Sequence, residues 1–204
     1  MEFRLTYQGS LFATQGDPQP NQRDKRADHK HDIRKEFHQQ LKRLWEVTPF
    51  LHESDRQIQT AFDLGAEPHD IQTLSAKHSH YGFNFVPLVT EEIQLLCGLD
   101  ILFLRPDKPG KLWAGDIDNR IKTLIDALRI PTANERYDQR TPGPDESPFF
   151  CLLEDDQLIS KLSVETDQLL EFVTLGGSLS DVRLVITVRV WPYAMHPGNM
   201  EFGG

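Results

Sequence analysis

Two short stretches carry the residues whose types and spacing suit chemistry. Asp116-Ile117-Asp118-Asn119-Arg120-Ile121-Lys122 sets two carboxylates one residue apart, and Glu154-Asp155-Asp156-Gln157 sets three in a row. Carboxylates crowded into one volume raise each other's pKa unless a cation sits between them. Hard cations prefer oxygen ligands, so Mg²⁺ or Mn²⁺ suits such a cluster. The expected ligands are Asp116, Asp118 and Asp156, with Lys122 four residues after Asp118 on the same side of a helix as an electrostatic partner. Asn119, Asp126 and Asp155 fall in supporting positions. The side chain of Asp155 points away from that of Asp156 if both are extended, so only one of the two faces a shared site. Each motif alone has an ordinary reading: one Asp caps a helix, and the acidic run is a solvated turn. Their combination, with Asp118, Lys122 and Asp126 along one helix edge, favours a metal-dependent phosphodiester site.

These groups need elements to position them. Ile121, Leu124, Ile125 and Leu128 recur at helical spacing and predict a helix over about 118–129, with Asp116 or Asp118 as N-cap and Pro131 limiting its end. Alternation over 157–165 predicts the strand that follows the acidic run. Further strands are expected at 2–8, at 83–89 (weakened by Pro87) and at 93–104, whose near-continuous apolar character suits a central position. Another strand covers 182–191. Ile33, Phe37, Leu41, Leu44 and Trp45 share one face of a helix over about 30–47, whose other face carries Arg34, Lys35, Lys42 and Arg43. Residues 9–29 and 132–148 read as loops, 50–80 as short helices seated by Ile58, Phe62, Ile71 and Leu74, and 193–204 as a loose tail. The sum is an α+β fold in one domain over 1–192, with a mixed sheet of about five strands and helices packed against it.

Composition bounds the function. The chain has 204 residues, 38% hydrophobic and 26% charged, with a net charge of −9. That charge argues against a general nucleic-acid coat protein. Its distribution is uneven: residues 23–43 hold eight Lys or Arg against four acids, and 145–171 hold eight acids against one base, Lys161. No apolar run is long enough to span a membrane, and the N-terminal residues lack a signal-peptide pattern. Cys97 and Cys151 lie in apolar contexts, which suits buried thiols in a reducing cytoplasm. The His29, His31, His38 group and His78-Ser79-His80 lack a Cys pair and match no zinc-ligand spacing. Trp45 reads as core, and Trp113 as packing beside the site.

Asp116-x-Asp118-Asn119-x-x-Lys122-x-x-x-Asp126-Ala127-Leu128, followed by Asp155-Asp156-Gln157-Leu158-Ile159, resembles the RusA family of Holliday junction resolvases, over about residues 95–190. The resemblance implies that Asp116, Asp118 and Asp156 bind the metal and that Lys122 is the functional lysine. It also implies a homodimer that nicks branched, four-way DNA symmetrically with Mg²⁺. The chain departs from the family in three ways. Only Lys108 and Lys111 stand before the Asp-x-Asp where a basic cluster is usual. The N-terminal Pro-Pro-Ser-x-Asn element is not visible, and the connection from Leu128 to Glu154 is longer. Lys35, Lys42 and Arg43, with Lys108 and Lys111, are the expected DNA contacts. Two other functions stay open: a catalytically silent DNA- or protein-binding member of the fold, and a hydrolase of a smaller phosphate ester.

Overall fold

A computed structural model describes residues 1–13, 20–52, 69–106, 117–132, 135, 140–170 and 181–203, with the backbone alone at 20–24. Ile58, Phe62, Lys108, Lys111, Trp113 and Asp116 lie outside the described residues.

The fold is α+β. One sheet holds β1 (Glu2–Ser10), β7 (Asp181–Pro192), β4 (Leu95–Arg105) and β6 (Ile159–Gln168), in that order. β7 runs antiparallel to β1 and β4, while β6 runs parallel to β4. Period-two patterning is clearest in β7: Val182, Leu184, Ile186, Val188 and Val190 all face the core. β4 is interior, as its apolar character led one to expect, and sends Leu95, Cys97, Leu99, Ile101 and Phe103 to the same side. A second sheet has the order β2 (Ser79–His80), β3 (Phe83–Val89) and β5 (Phe149–Leu153). Tyr81 and Gly82, both at positive φ (53° and 81°), make the two-residue turn between β2 and β3. β3 and β5 are parallel and almost wholly buried.

Helix α1 (Pro20–Val47) buries Ile33, Phe37, Leu41 and Trp45 against β1 and β5. Two short helices, α2 (Pro49–His52) and α3 (Ile71–Lys77), and the motif-bearing α4 (Ile117–Leu128) complete the set. Cys97 and Cys151 are free, buried thiols. Among the described residues no helix is long and apolar enough to cross a membrane.

Three expectations need correction. The loop over 9–29 gives way to helix from Pro20 onward. Proline suits a first helical position, and no further Pro or Gly interrupts the charged stretch that follows it. Arg34, expected on an exposed polar face, is only 1% exposed. The tail is not loose. Asn199 Nδ2 donates to the carbonyls of Ile93 and Ala194 at 2.9 Å, and the Met1 ammonium donates to the Phe202 carbonyl at 2.8 Å. Phe202 is fully buried edge-on to Phe50. Phe202→Ala is therefore expected to cost about 3–5 kcal/mol in urea unfolding; a loss under about 1 kcal/mol would show that the tail contributes little.

Candidate metal site and the charge cluster beside it

Helix α4 is amphipathic at its own spacing: Ile121, Leu124 and Leu128 are buried, while Asp118 and Lys122 are exposed on one edge. Asp118 lies in the first turn, where a carboxylate complements the helix dipole. It accepts a bond from the neighbouring Asn119 Nδ2 at 3.2 Å and pairs with no cation among the described residues. Lys122 likewise pairs with no carboxylate among them.

The other end of α4 is held by α1. Arg34 Nη2 donates to the Asp126 carbonyl at 2.6 Å and Arg34 Nε to the Arg129 carbonyl at 3.2 Å. The first is a terminal helix carbonyl, which the helix itself leaves unpaired, and the second belongs to the residue that follows the helix. Glu135 accepts from Arg34 at 2.9 Å and lies 3.3 Å from Arg129. Asp126 bridges Lys30 at 2.6 Å and Arg129 at 2.8 Å. Burial alone would raise the Asp126 carboxyl, but the hydrogen bonds and charges of Lys30 and Arg129 outweigh it and hold the group below its usual range. Three cations thus meet two carboxylates. Asp156 Oδ2, 3.9 Å from Arg129 Nε, supplies the third.

Asp156 therefore sits beside the C-terminal end of α4, remote from Asp118. About 1.5 Å of rise per residue puts roughly 16 Å between the backbones of Asp118 and Arg129. The sheet tells the same story. Thr123 Oγ1 donates to the Phe12 carbonyl at 3.1 Å, just past the end of β1 that faces Asp181 and the finish of β4. Asp156 precedes β6, whose first residue registers with Cys97 near the start of β4. A single ion reaches its ligands over only about 2.0–2.6 Å, so this arrangement does not join the two carboxylates. The cause is the long connection after Leu128. It lets β5 run parallel to the segment that leaves α4, with Ile130 N donating to the Leu153 carbonyl at 3.0 Å. The acidic run then emerges at the helix's far end.

The rest of the run serves the turn between the two sheets. Glu154 Oε2 accepts from Glu91 N at 3.1 Å, and Asp155 Oδ1 accepts from Gln157 N at 2.9 Å. Among the described residues no group of three His, Cys, Asp or Glu side chains is arranged to hold a metal ion. Of the candidate DNA contacts, Lys35 pairs with Asp32 at 3.2 Å and Arg43 with Glu46 at 3.0 Å, and Lys42 is half-buried.

Sequence reasoning missed the buried histidines. His38 Nδ1 accepts from Phe150 N at 2.9 Å, so Nε2, 2.8 Å from the Asp145 carbonyl, carries the proton. The ring is neutral and pins β5 and the chain before it to α1. Burial lowers the pKa of His38, and that of His31 from 6.5 to about 4. A depressed histidine pKa means that the unfolded chain binds more protons, so stability falls as pH drops from 6.5 towards 4. His31 alone accounts for on the order of 3 kcal/mol of that loss. Urea midpoints that stay flat between pH 7.5 and 4.5 would contradict this; His31→Phe is expected to reduce the slope.

No protein-family model, no curated protein and no solved structure matches the chain.

Proposed function

We propose that this chain is a Mg²⁺-dependent endodeoxyribonuclease acting on branched DNA, with the ion held at the N-terminal mouth of α4 by Asp118 and, two residues before it, Asp116. The observation that carries the reading is the contrast among carboxylates. Asp126 and Asp156 already carry counter-cations, whereas exposed Asp118 has none among the described residues. That oxygen donor fits a hard cation, and Mg²⁺ is commonly held by one or two carboxylates together with substrate phosphates. When bound, the ion neutralises phosphate charge and lowers the pKa of an attacking water. Lys122, one turn along the same edge, offers its ammonium to a phosphate oxygen. Lys35, Lys42 and Arg43, with Lys108 and Lys111, are the proposed contacts to the DNA backbone, and a two-fold homodimer suits a two-fold junction.

The test is cleavage of a synthetic four-way junction with Mg²⁺, beside a linear duplex and a small phosphodiester, for the wild type and Asp118→Asn. Turnover of the small ester alone would replace the substrate class. A second reading, a silent DNA-binding member of the same fold, is favoured by the Arg129–Asp156 contact, which keeps the third expected ligand away. Intact junction bound in Mg²⁺ without nicking would select it.

A further inference from the structure

Phe12 follows β1 and is 47% exposed, yet its place is fixed from two sides. Its N–H donates to His29 Nε2 of α1 at 3.2 Å, and its carbonyl accepts from Thr123 Oγ1 of α4 at 3.1 Å. The Phe12 ring lies 4.7 Å from the His29 ring, tilted by 54°. A single exposed apolar side chain is ordinary. An exposed aromatic whose two backbone polar groups are both bound, at the seam of two helices, is a preorganised platform. Its surroundings are cationic. α1 and α4 run side by side in the same direction: His29 meets Thr123 through Phe12, Lys30 meets Asp126, and Arg34 meets the Arg129 carbonyl. Lys25 stands one turn before His29 on the same face of α1, and Lys122 directly precedes Thr123. Both are exposed and pair with no carboxylate among the described residues. The nearby acids of α1 are already matched, Asp28 to Arg140 and Asp32 to Lys35.

We propose that Phe12 is a stacking platform for an unpaired nucleobase, with Lys25 and Lys122 on the phosphates that flank it. The inference rests on the reading that this chain acts on DNA, and it names the feature recognised beside the metal site: a base out of its stack, as at a branch point. Stacking on an aromatic ring tolerates any sequence, because every base has a π-face. His29 accepts at Nε2, so its ring is neutral and backs Phe12 as an aromatic surface rather than as a charge. The two ammonium groups act as point charges towards phosphate. A fully paired duplex keeps its bases stacked on one another and offers Phe12 no ring face, so the platform favours unpaired strands.

Fluorescence anisotropy in EDTA tests this without cleavage, using an oligothymidylate and a linear duplex of equal length. Phe12→Ala is expected to bind the oligothymidylate about tenfold more weakly than the wild type and the duplex equally well. Phe12→Trp, which keeps a ring at the site, is expected to bind the single strand at least as tightly as the wild type. Lys25→Ala is expected to weaken both probes and to lower the salt slope on the single strand by about 0.7. A 2-aminopurine placed in the strand reports the stack directly: its fluorescence is expected to fall on binding the wild type and to stay high with Phe12→Ala. Equal losses on both probes, no loss in Phe12→Ala, or a Phe12→Trp variant as weak as Phe12→Ala would overturn the proposal. Junction nicking by the wild type with no effect of Phe12 on single-strand binding would overturn this inference alone. Phe12-dependent binding without nicking would uphold it and overturn the nuclease reading.

Discussion

Asp118→Asn is expected to lower junction cleavage by at least about 100-fold while leaving the thermal midpoint within about 2 °C of the wild type. The two halves of that expectation have separate grounds. Asp118 is exposed and, among the described residues, its side chain is bonded to its neighbour Asn119 alone, so replacing a carboxylate oxygen by an amide disturbs little of the fold. An amide is a neutral, weaker ligand for Mg²⁺, so the function placed at this helix mouth suffers most. Asp156→Asn is expected to behave in the opposite way. It removes the third carboxylate from the cluster of Lys30, Arg34 and Arg129 and lowers stability by about 1 kcal/mol, because Asp156 is half-exposed and its contact with Arg129 is long. Equal losses of cleavage in the two variants, with equal stability, would mean that the carboxylates act as one set.

The largest stability effect is expected at Arg34. Its guanidinium is the best-buried charge in the described residues and serves the end of α4 and Glu135 at once. Arg34→Met keeps much of the volume but takes the guanidinium from the Asp126 and Arg129 carbonyls at the end of α4 and leaves Glu135 short of a buried partner. Removing one side of a buried pair costs about 3–5 kcal/mol. Lys35→Ala, one residue on, removes only an exposed pair with Asp32 and is expected to change stability by less than about 0.5 kcal/mol. Urea unfolding of the two variants side by side checks the contrast; similar midpoints would show that the cluster is not what fixes α4 to α1.

Much of the architecture could be read from periodicity. Alternation in 182–191 and the apolar run in 93–104 become β7 and β4, and the Ile33, Phe37, Leu41, Trp45 stripe becomes the buried face of α1. Features that depend on distant partners could not be read this way. Arg34 looks like any surface arginine until the end of α4 and Glu135 arrive from about a hundred residues away. Asn199 and Phe202 look like tail until the Ile93 carbonyl and Phe50 take them in. The first turns of α1 hide in a charged, apolar-poor stretch with no stripe to mark them. In the candidate site, the spacing of Asp118 and Lys122 on one helix edge is local and was legible. Whether Asp156 joins them is set by the direction in which β5 returns after a long connection, which local patterning does not encode.

Calorimetric titration with Mn²⁺ of the wild type, Asp118→Asn and Asp156→Asn, each confirmed folded, tests the assignment of the ion to the mouth of α4. The expected result is one binding isotherm shared by the wild type and Asp156→Asn and no measurable heat from Asp118→Asn. Undiminished binding in Asp118→Asn, or binding abolished by Asp156→Asn, would contradict it.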